Sequence, residues 1–445
     1  MLKRTWFVAV LAVASTCGGA PDKTTAPRDV DDLRATPPPA VVKTNAAAPK
    51  PIESPTPIAP PGKLVLPEQS ASVFGDGFHS YQVRDEERIF AGPRTSDKEH
   101  VGYLSARARV VVKSLGTKTS DCQWMELEPR GWICARGEPS TLPPGDETAP
   151  ALWMPRYDRR VFKDEDDVRA NGGYVPAQAP EIVRSFKQKF ALEIDRKKYL
   201  RTTTGELVPA TAVPKYWGDE VAGVAVEGNL ELPVAWTWNH DDYKKPTRIR
   251  AEPSRRGKVV REIALRSRVD VLEERAGWAR IGNDEWISRR DLRIARVATP
   301  PAEVTGTDEP WVDVTLNEQT IVLYRGTTPI RATLVSTGRK KYPTPPGLYR
   351  VTKKTMVTEF KSPRPDLIEY HIKDVAWAMH FTDLHAMHGA WWNRGFGANV
   401  SLGCVNIPSA DIRVIYEHME PKMVPGWWQT VATADNPGSL IRIRR

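Results

Sequence analysis

From Trp311 onward the chain reads as strand after strand: WVDVTL, QTIVLYRG, PIRATLVSTG, GLYRVTKKTMV and AWAMHF succeed one another, with Gly and Pro at the breaks. Apolar and polar residues alternate with period two, the mark of strands that bury one face. One helix interrupts the pattern. Ser409 suits its start, Asp411 its positive end, and Ile412, Ile415, Tyr416 and Met419 recur at helical spacing before Pro421 stops it. The expected fold class is therefore mostly β, with a sandwich or barrel-like domain over 310–435 and a short helix after Cys404. The remaining residues, 436–445, read as a basic C-terminal tail.

Upstream, residues 89–136 and 249–292 share a pattern. Gly92-Pro93 leads to ARARVVV and then to Trp124 and Trp132; Glu252-Pro253 leads to LRSRVDV and then to Trp278 and Trp286. Short alternating strands with turn residues surround both tryptophan pairs. These segments resemble bacterial SH3-like modules, which implies two small β-barrels, at 76–145 and 246–297, that target a surface or act as spacers. Between them, 146–245 reads as further short strands without an assignable role, and 298–309 (ATPPAEVTGTDE) as a linker.

The first residues have the layout of a secretory signal: Lys3 and Arg4, an apolar run from Trp6 to Ala14, then small residues. Cys17 stands where a lipoprotein signal places its modified cysteine, so 1–17 is read as a lipoprotein-type signal and Cys17 as its lipidation site. Residues 18–75 are rich in Pro, Ala, Thr and Lys and lack the apolar density for a core, which predicts a disordered tether. Its polyproline-like parts extend at about 3.1 Å per residue. The expected location is the cell envelope or periplasm, with a lipid anchor in a membrane.

A net charge of +9 suits an acidic partner. The basic residues are interspersed with Asp and Glu, and neither a recognition helix nor an aromatic-basic RNA motif occurs, which argues against nucleic acid. Carboxylate-bearing cell wall or anionic lipid fits an exported chain. Nothing in the sequence sets the oligomeric state.

The four cysteines divide by context. Cys122 and Cys134 lie in DCQWMELEPRGWICA, around a Glu-Pro-Arg-Gly turn, which predicts a β-hairpin and a disulfide between its strands. With Cys17 assigned to lipid, the arithmetic leaves Cys404 as a thiol. Its setting is ANVSLGCVNIP, sixteen residues after His388. Attack on an amide requires thiolate, so a base must lie beside the sulfur. His388 is the best candidate, because the Gly-rich NRGFGAN can fold the chain back between them.

Together, TLNEQTIVLYRG, IRATLVSTGRKKYPTPPGLYRV and LHAMHGAWWNRGFGANVSLGCVNIPSADIRVIYEHMEP resemble the catalytic domain of the L,D-transpeptidases, the YkuD-like family. The matching elements are His388-Gly389, then Ser401-Leu402-Gly403-Cys404-Val405-Asn406, with Ser336-Thr337-Gly338 and Thr344-Pro345-Pro346-Gly347 upstream. Leu402 stands where many members have a second histidine.

The resemblance implies Cys404 as nucleophile, His388 as the group that takes and returns a proton, and the Gly389 carbonyl as the acceptor that orients the imidazole. Amides of Gly403 and Cys404 are expected to face the oxyanion, with Ser401 and Asn406 positioning. The implied substrate is the peptidoglycan tetrapeptide stem. Its meso-diaminopimelate acyl group passes to sulfur with release of D-Ala, then to an amine acceptor (a 3→3 cross-link or protein attachment) or to water, the last giving L,D-carboxypeptidase activity. No cofactor is required.

Two rivals belong to other classes. One is a metal site from His380, His385, His388 and Cys404, disfavoured because histidines five and three apart on one strand do not share a face. The other is a non-catalytic, peptidoglycan-binding envelope scaffold, for which Leu402 is the support. The pairs Trp391-Trp392 and Trp427-Trp428 suit a glycan groove or core packing equally.

Overall fold

The computed structural model describes residues 73–93, 100–145, 165–170, 188–202, 207–209, 221–227, 230–242, 245–361 and 371–445. The signal segment, Cys17, nearly all of the tether and much of 146–245 lie outside the described residues.

The molecule is mostly β, and two large sheets organise it. One has six strands in the order Val224–Ala225, Thr328–Leu334, Thr320–Arg325, Pro310–Thr315, Leu440–Arg444 and Gly347–Arg350. The other has ten, beginning Val405–Ile407, Ala386–Gly389, His371–His380, Lys353–Lys361 and Trp427–Val431. It continues through His100–Leu104, Glu87–Phe90, Trp132–Ala135, Gln123–Leu127 and Val112–Lys118.

The alternation read from the sequence places the core. Val312, Val314, Ile321 and Leu323 of the first sheet meet Trp377, Met379, Met387, Val405 and Ile407 of the second, with Ile412, Ile415 and Tyr416 of the helix Ser409–His418 closing the layer. Burying such side chains contributes about 1.5–3 kcal/mol each relative to exposure. On the opposite face of the six-stranded sheet, Trp311, Val322 and Tyr324 pack with Val234, Trp236 and Ala295 of the second upstream module.

Several expectations need correction. The upstream sheets are not closed barrels. In the first module, the edge that a barrel would close on itself instead continues the catalytic sheet, because His100–Leu104 pairs antiparallel with Trp427–Val431. The junction is tight. Arg130 donates to Thr430 Oγ1 at 2.9 Å and to the Val431 carbonyl at 3.0 Å, and a Cβ on Gly102 would stand 2.5 Å from the Gln429 carbonyl oxygen.

The second module starts earlier than residue 246, since Val234–Thr237 pairs with Leu292–Ala295 and Arg268–Val269. Residues 440–444 are no tail. They form a strand inside the six-stranded sheet, parallel to Pro310–Thr315 and antiparallel to Gly347–Arg350. Arg442 and Arg444 both donate to the buried Asp313 carboxylate, which is thereby paired. Cys122 and Cys134 are disulfide-bonded with Cα atoms 5.4 Å apart, on the hairpin whose Trp124 and Cys134 are paired in register.

Candidate active site

His388 and Cys404 arrive at one place by strand pairing. Ala386–Gly389 runs parallel to Val405–Ile407 with Met387 opposite Val405 and His388 opposite Asn406. Cys404 therefore sits one step before its strand, beside Ala386, whose N–H points at its sulfur at 3.3 Å. Met387 and Val405 face the main core, so alternation puts Ala386, His388, Cys404 and Asn406 together on the other face. The Gly-rich segment between them makes this crossover.

The sulfur is 2 % exposed and packs with Phe360, Val375, Ala378 and Ala386. Phe360 also meets the His388 ring edge to face, centroids 4.7 Å apart, and Trp392 stacks on that ring at 5.6 Å. The His388 Nδ1 lies 3.0 Å from the Gly389 carbonyl oxygen, which accepts a hydrogen bond from the Nδ1–H and leaves Nε2 as the basic nitrogen. Burial pushes the His388 pKa down to about 4, against the smaller opposing effect of that carbonyl. The imidazole is neutral at pH 7.

The structure holds Cys404 in a disulfide-bonded state, which differs from the thiol expected from the cysteine count.

Ser401 Oγ donates to the Cys404 carbonyl at 2.6 Å and accepts the Gly403 N–H at 3.1 Å. Both bonds tie the Ser401 side chain into the turn before Cys404. The Gly403 amide, expected to face the oxyanion, is engaged within that turn instead. Gly403 has φ +122°, a conformation few side chains adopt, and a Cβ on it would lie 3.0 Å from the His385 ring. Asn406 exchanges backbone hydrogen bonds with Ser336, both at 2.9 Å.

The STG and TPPG elements act through the same turn. Thr344 Oγ1 donates to the Gly403 carbonyl at 2.7 Å, the Thr337 carbonyl accepts the Ser401 N–H at 3.0 Å, and Gln319 ties Thr337 from below.

The two remaining histidines of the segment are close by. His380 pairs with Ala386, and because the chain reverses between them, His380 and His388 share a face after all. The single-strand reasoning missed the hairpin. Burial, with Lys353 and His388 nearby, pushes the His380 pKa down to about 3. His385 is held at Nδ1 by Thr382 Oγ1 at 2.9 Å, and burial lowers its pKa. Among the described residues no three His, Cys, Asp or Glu side chains are placed to hold a metal.

Of the tryptophans, Trp392 packs on His388 and Trp427 is wholly buried, while Trp428 leans on Tyr103 of the first module. Sequence reasoning did not find Phe360, nor the second-module arginines described below. Both act across the fold, and no local motif marks them.

Residues 309–431 match the family described as YkuD, L,D-transpeptidase catalytic domain. No curated protein matches the chain. Among solved structures, an L,D-transpeptidase from Mycobacterium smegmatis is similar at 23 % identity and TM-score 0.26, over 36 % of this chain and 72 % of that one. The catalytic domain of the E. faecium L,D-transpeptidase is similar at 18 % identity and TM-score 0.24, over 31 % and 97 %. L,D-transpeptidase 3 from Mycobacterium tuberculosis is similar at 17 % identity and TM-score 0.24, over 38 % and 77 %. The family match and the site built above agree on one region, and residues 309–431 are the YkuD L,D-transpeptidase catalytic domain of this chain.

Proposed function

We propose that this protein is a cysteine-dependent peptidoglycan L,D-transpeptidase acting in the cell envelope. The observation that carries the reading is the parallel register that seats Cys404 beside the strand of a buried, neutral imidazole oriented by its own backbone. A neutral His388 is the correct form of a general base.

In the proposed reaction, Nε2 of His388 takes the Cys404 thiol proton as sulfur attacks the acyl carbon of the diaminopimelate residue in a tetrapeptide stem. The C–N bond to D-Ala breaks as the C–S bond forms, and the proton passes to the departing amine. An amine from a second stem, or water, then attacks the thioester. His388 accepts the proton from this nucleophile and returns it to sulfur. The Ala386 N–H, 3.3 Å from the sulfur, favours developing thiolate.

The test uses reduced protein and a carbapenem, followed by mass measurement of the intact chain. The expected result is one covalent adduct that Cys404→Ala does not form, together with D-Ala release from tetrapeptide stems. A reduced wild-type protein that forms no adduct and releases no D-Ala would overturn the proposal.

A further inference from the structure

The segment between His388 and Cys404 is gripped from outside the catalytic domain. Arg266, in the second module, donates from Nε to the Phe396 carbonyl at 2.8 Å and from Nη2 to the Arg394 carbonyl at 2.5 Å. Arg293, on the strand Leu292–Ala295 of the same module, donates from Nε to the Gly397 carbonyl at 2.8 Å. Three carbonyls of one loop, those of Arg394, Phe396 and Gly397, are thus bonded to two guanidinium groups more than one hundred residues away in sequence.

Packing reinforces the grip. Arg293 lies over the Trp238 ring at 4.8 Å, and a Cβ on Gly397 would come within 2.9 Å of the same indole. Gly397 is therefore a glycine of close approach, with φ +95°. Phe396, 1 % exposed, plugs into the core that Trp236 and Ala295 share with the six-stranded sheet. Neither arginine can swing freely. Arg266 has φ +59° with its N–H on the Thr237 carbonyl, and Arg293 is fixed in register opposite Trp236. Burial lowers the Arg293 pKa to about 10, so it keeps its charge at pH 7.

On the other side the loop meets the catalytic site. Gly397 N–H donates to the Val335 carbonyl at 2.8 Å, Ser336 Oγ donates to the Ala398 carbonyl at 2.7 Å, and Trp392 stacks on His388. The loop has no strand or helix of its own to hold it between residues 390 and 404. Its shape comes from what it is bonded to.

We infer that Arg266 and Arg293 are positioning residues of the active site: the second upstream module clamps the loop that seats Trp392 on His388 and delivers the chain to Cys404. The module is then a part of the catalytic apparatus and more than a spacer. The inference rests on the transpeptidase reading. A displacement of about 1 Å in such a site costs about a hundredfold in rate.

The experiment compares the reduced full chain with the Arg266→Met/Arg293→Met double variant, which keeps the aliphatic stems and loses the guanidinium groups. Carbapenem acylation is followed by mass over a range of concentrations and pH. The expected result is a maximal acylation rate lower by about a hundredfold, an unchanged half-saturating concentration, and a shifted pH dependence, with far-UV circular dichroism as in the wild type. Lysine at both positions, which restores a cationic donor group but not the planar fork, recovers part of the rate. A folded Met variant with the wild-type rate and pH profile would overturn the clamp, whereas a wild type that does not acylate would overturn the transpeptidase reading. If the double variant does not fold, the Arg293→Met single variant carries the same measurement: a normal rate and pH profile there overturns the role of Arg293.

Discussion

Gly403 carries two demands on one residue. Its φ of +122° excludes most side chains, and the His385 ring occupies the space a Cβ would need at 3.0 Å. Backbone strain of this kind costs about 1–3 kcal/mol. Gly403→Ala is expected to lower the melting temperature and to reduce carbapenem acylation at least tenfold on the order of one such penalty, because the turn it distorts ends at Cys404. Wild-type acylation by that variant would show the turn to be indifferent. His388 gives a second prediction. With its folded pKa near 4 and an unfolded value near 6.5, the unfolded chain binds the proton first as pH falls. Stability is full above 6.5, declines as pH falls through the interval and reaches its total loss below 4, on the order of 3 kcal/mol. Urea midpoints at pH 7 and pH 4.5 measure it, and His388→Gln should reduce that dependence without abolishing it, because buried His380, with its pKa pushed down to about 3, loses stability in the same direction. Cys404 and His388 were legible in the sequence because a nucleophile, a base and flanking glycines are local signals. Phe360 and Arg266 were not, since their roles exist only after distant strands meet.

The helix Ser409–His418 is held at both ends by buried charge. Near its start, Asp411 accepts from Arg331 Nε at 2.6 Å, Thr333 Oγ1 at 2.6 Å and the Gly223 N–H at 2.9 Å. Arg331 and Asp411 are both nearly inaccessible to water, so removing one charge strands the other. Asp411→Ala is expected to destabilise by about 3–5 kcal/mol, read as a lower urea midpoint at unchanged m-value; a change below about 1 kcal/mol would match an exposed pair instead. At the other end, the wholly buried Lys354 donates to the carbonyls of Tyr416 at 2.6 Å and Met419 at 2.8 Å, where the helix dipole favours a cation. Burial pushes its pKa well down, and these carbonyls offset part of that cost. The strand Leu440–Arg444 shows what the sequence reading passed over. LIRIR alternates apolar and charged residues as a strand does, and the buried Asp313 is what the two partly exposed arginines reach toward. Ending the chain at Gly438 removes a strand bonded on both sides and is expected to leave protein that does not fold cooperatively, seen as loss of a single thermal transition.

At the scale of the molecule, the catalytic domain is not bounded by the C-terminal limit of its family match. The match ends at Val431, yet the sheet needs residues 440–444, and the strand ending at that valine needs the first module. The alternation of the sequence made the β class legible, and turn chemistry made the Cys122–Cys134 hairpin legible. Pairing between strands more than three hundred residues apart leaves no periodic trace, so two separate barrels were the natural expectation. The consequence is measurable. A chain lacking residues 73–145 would leave Trp427–Val431 as a bare sheet edge, uncover the fully buried Trp427 and remove the Arg130 hydrogen bonds to Thr430 and Val431. Exposure of the indole alone costs about 2–3 kcal/mol, and an uncovered edge pairs with other chains. That chain is expected to melt at lower temperature and to associate at high concentration in sedimentation, while retaining carbapenem acylation at low concentration, because the clamp on the active-site loop comes from the second module. An unchanged melting temperature would mean that the continuous sheet contributes nothing to stability. Lost acylation in a folded, monomeric sample would mean that the first module, too, shapes the site.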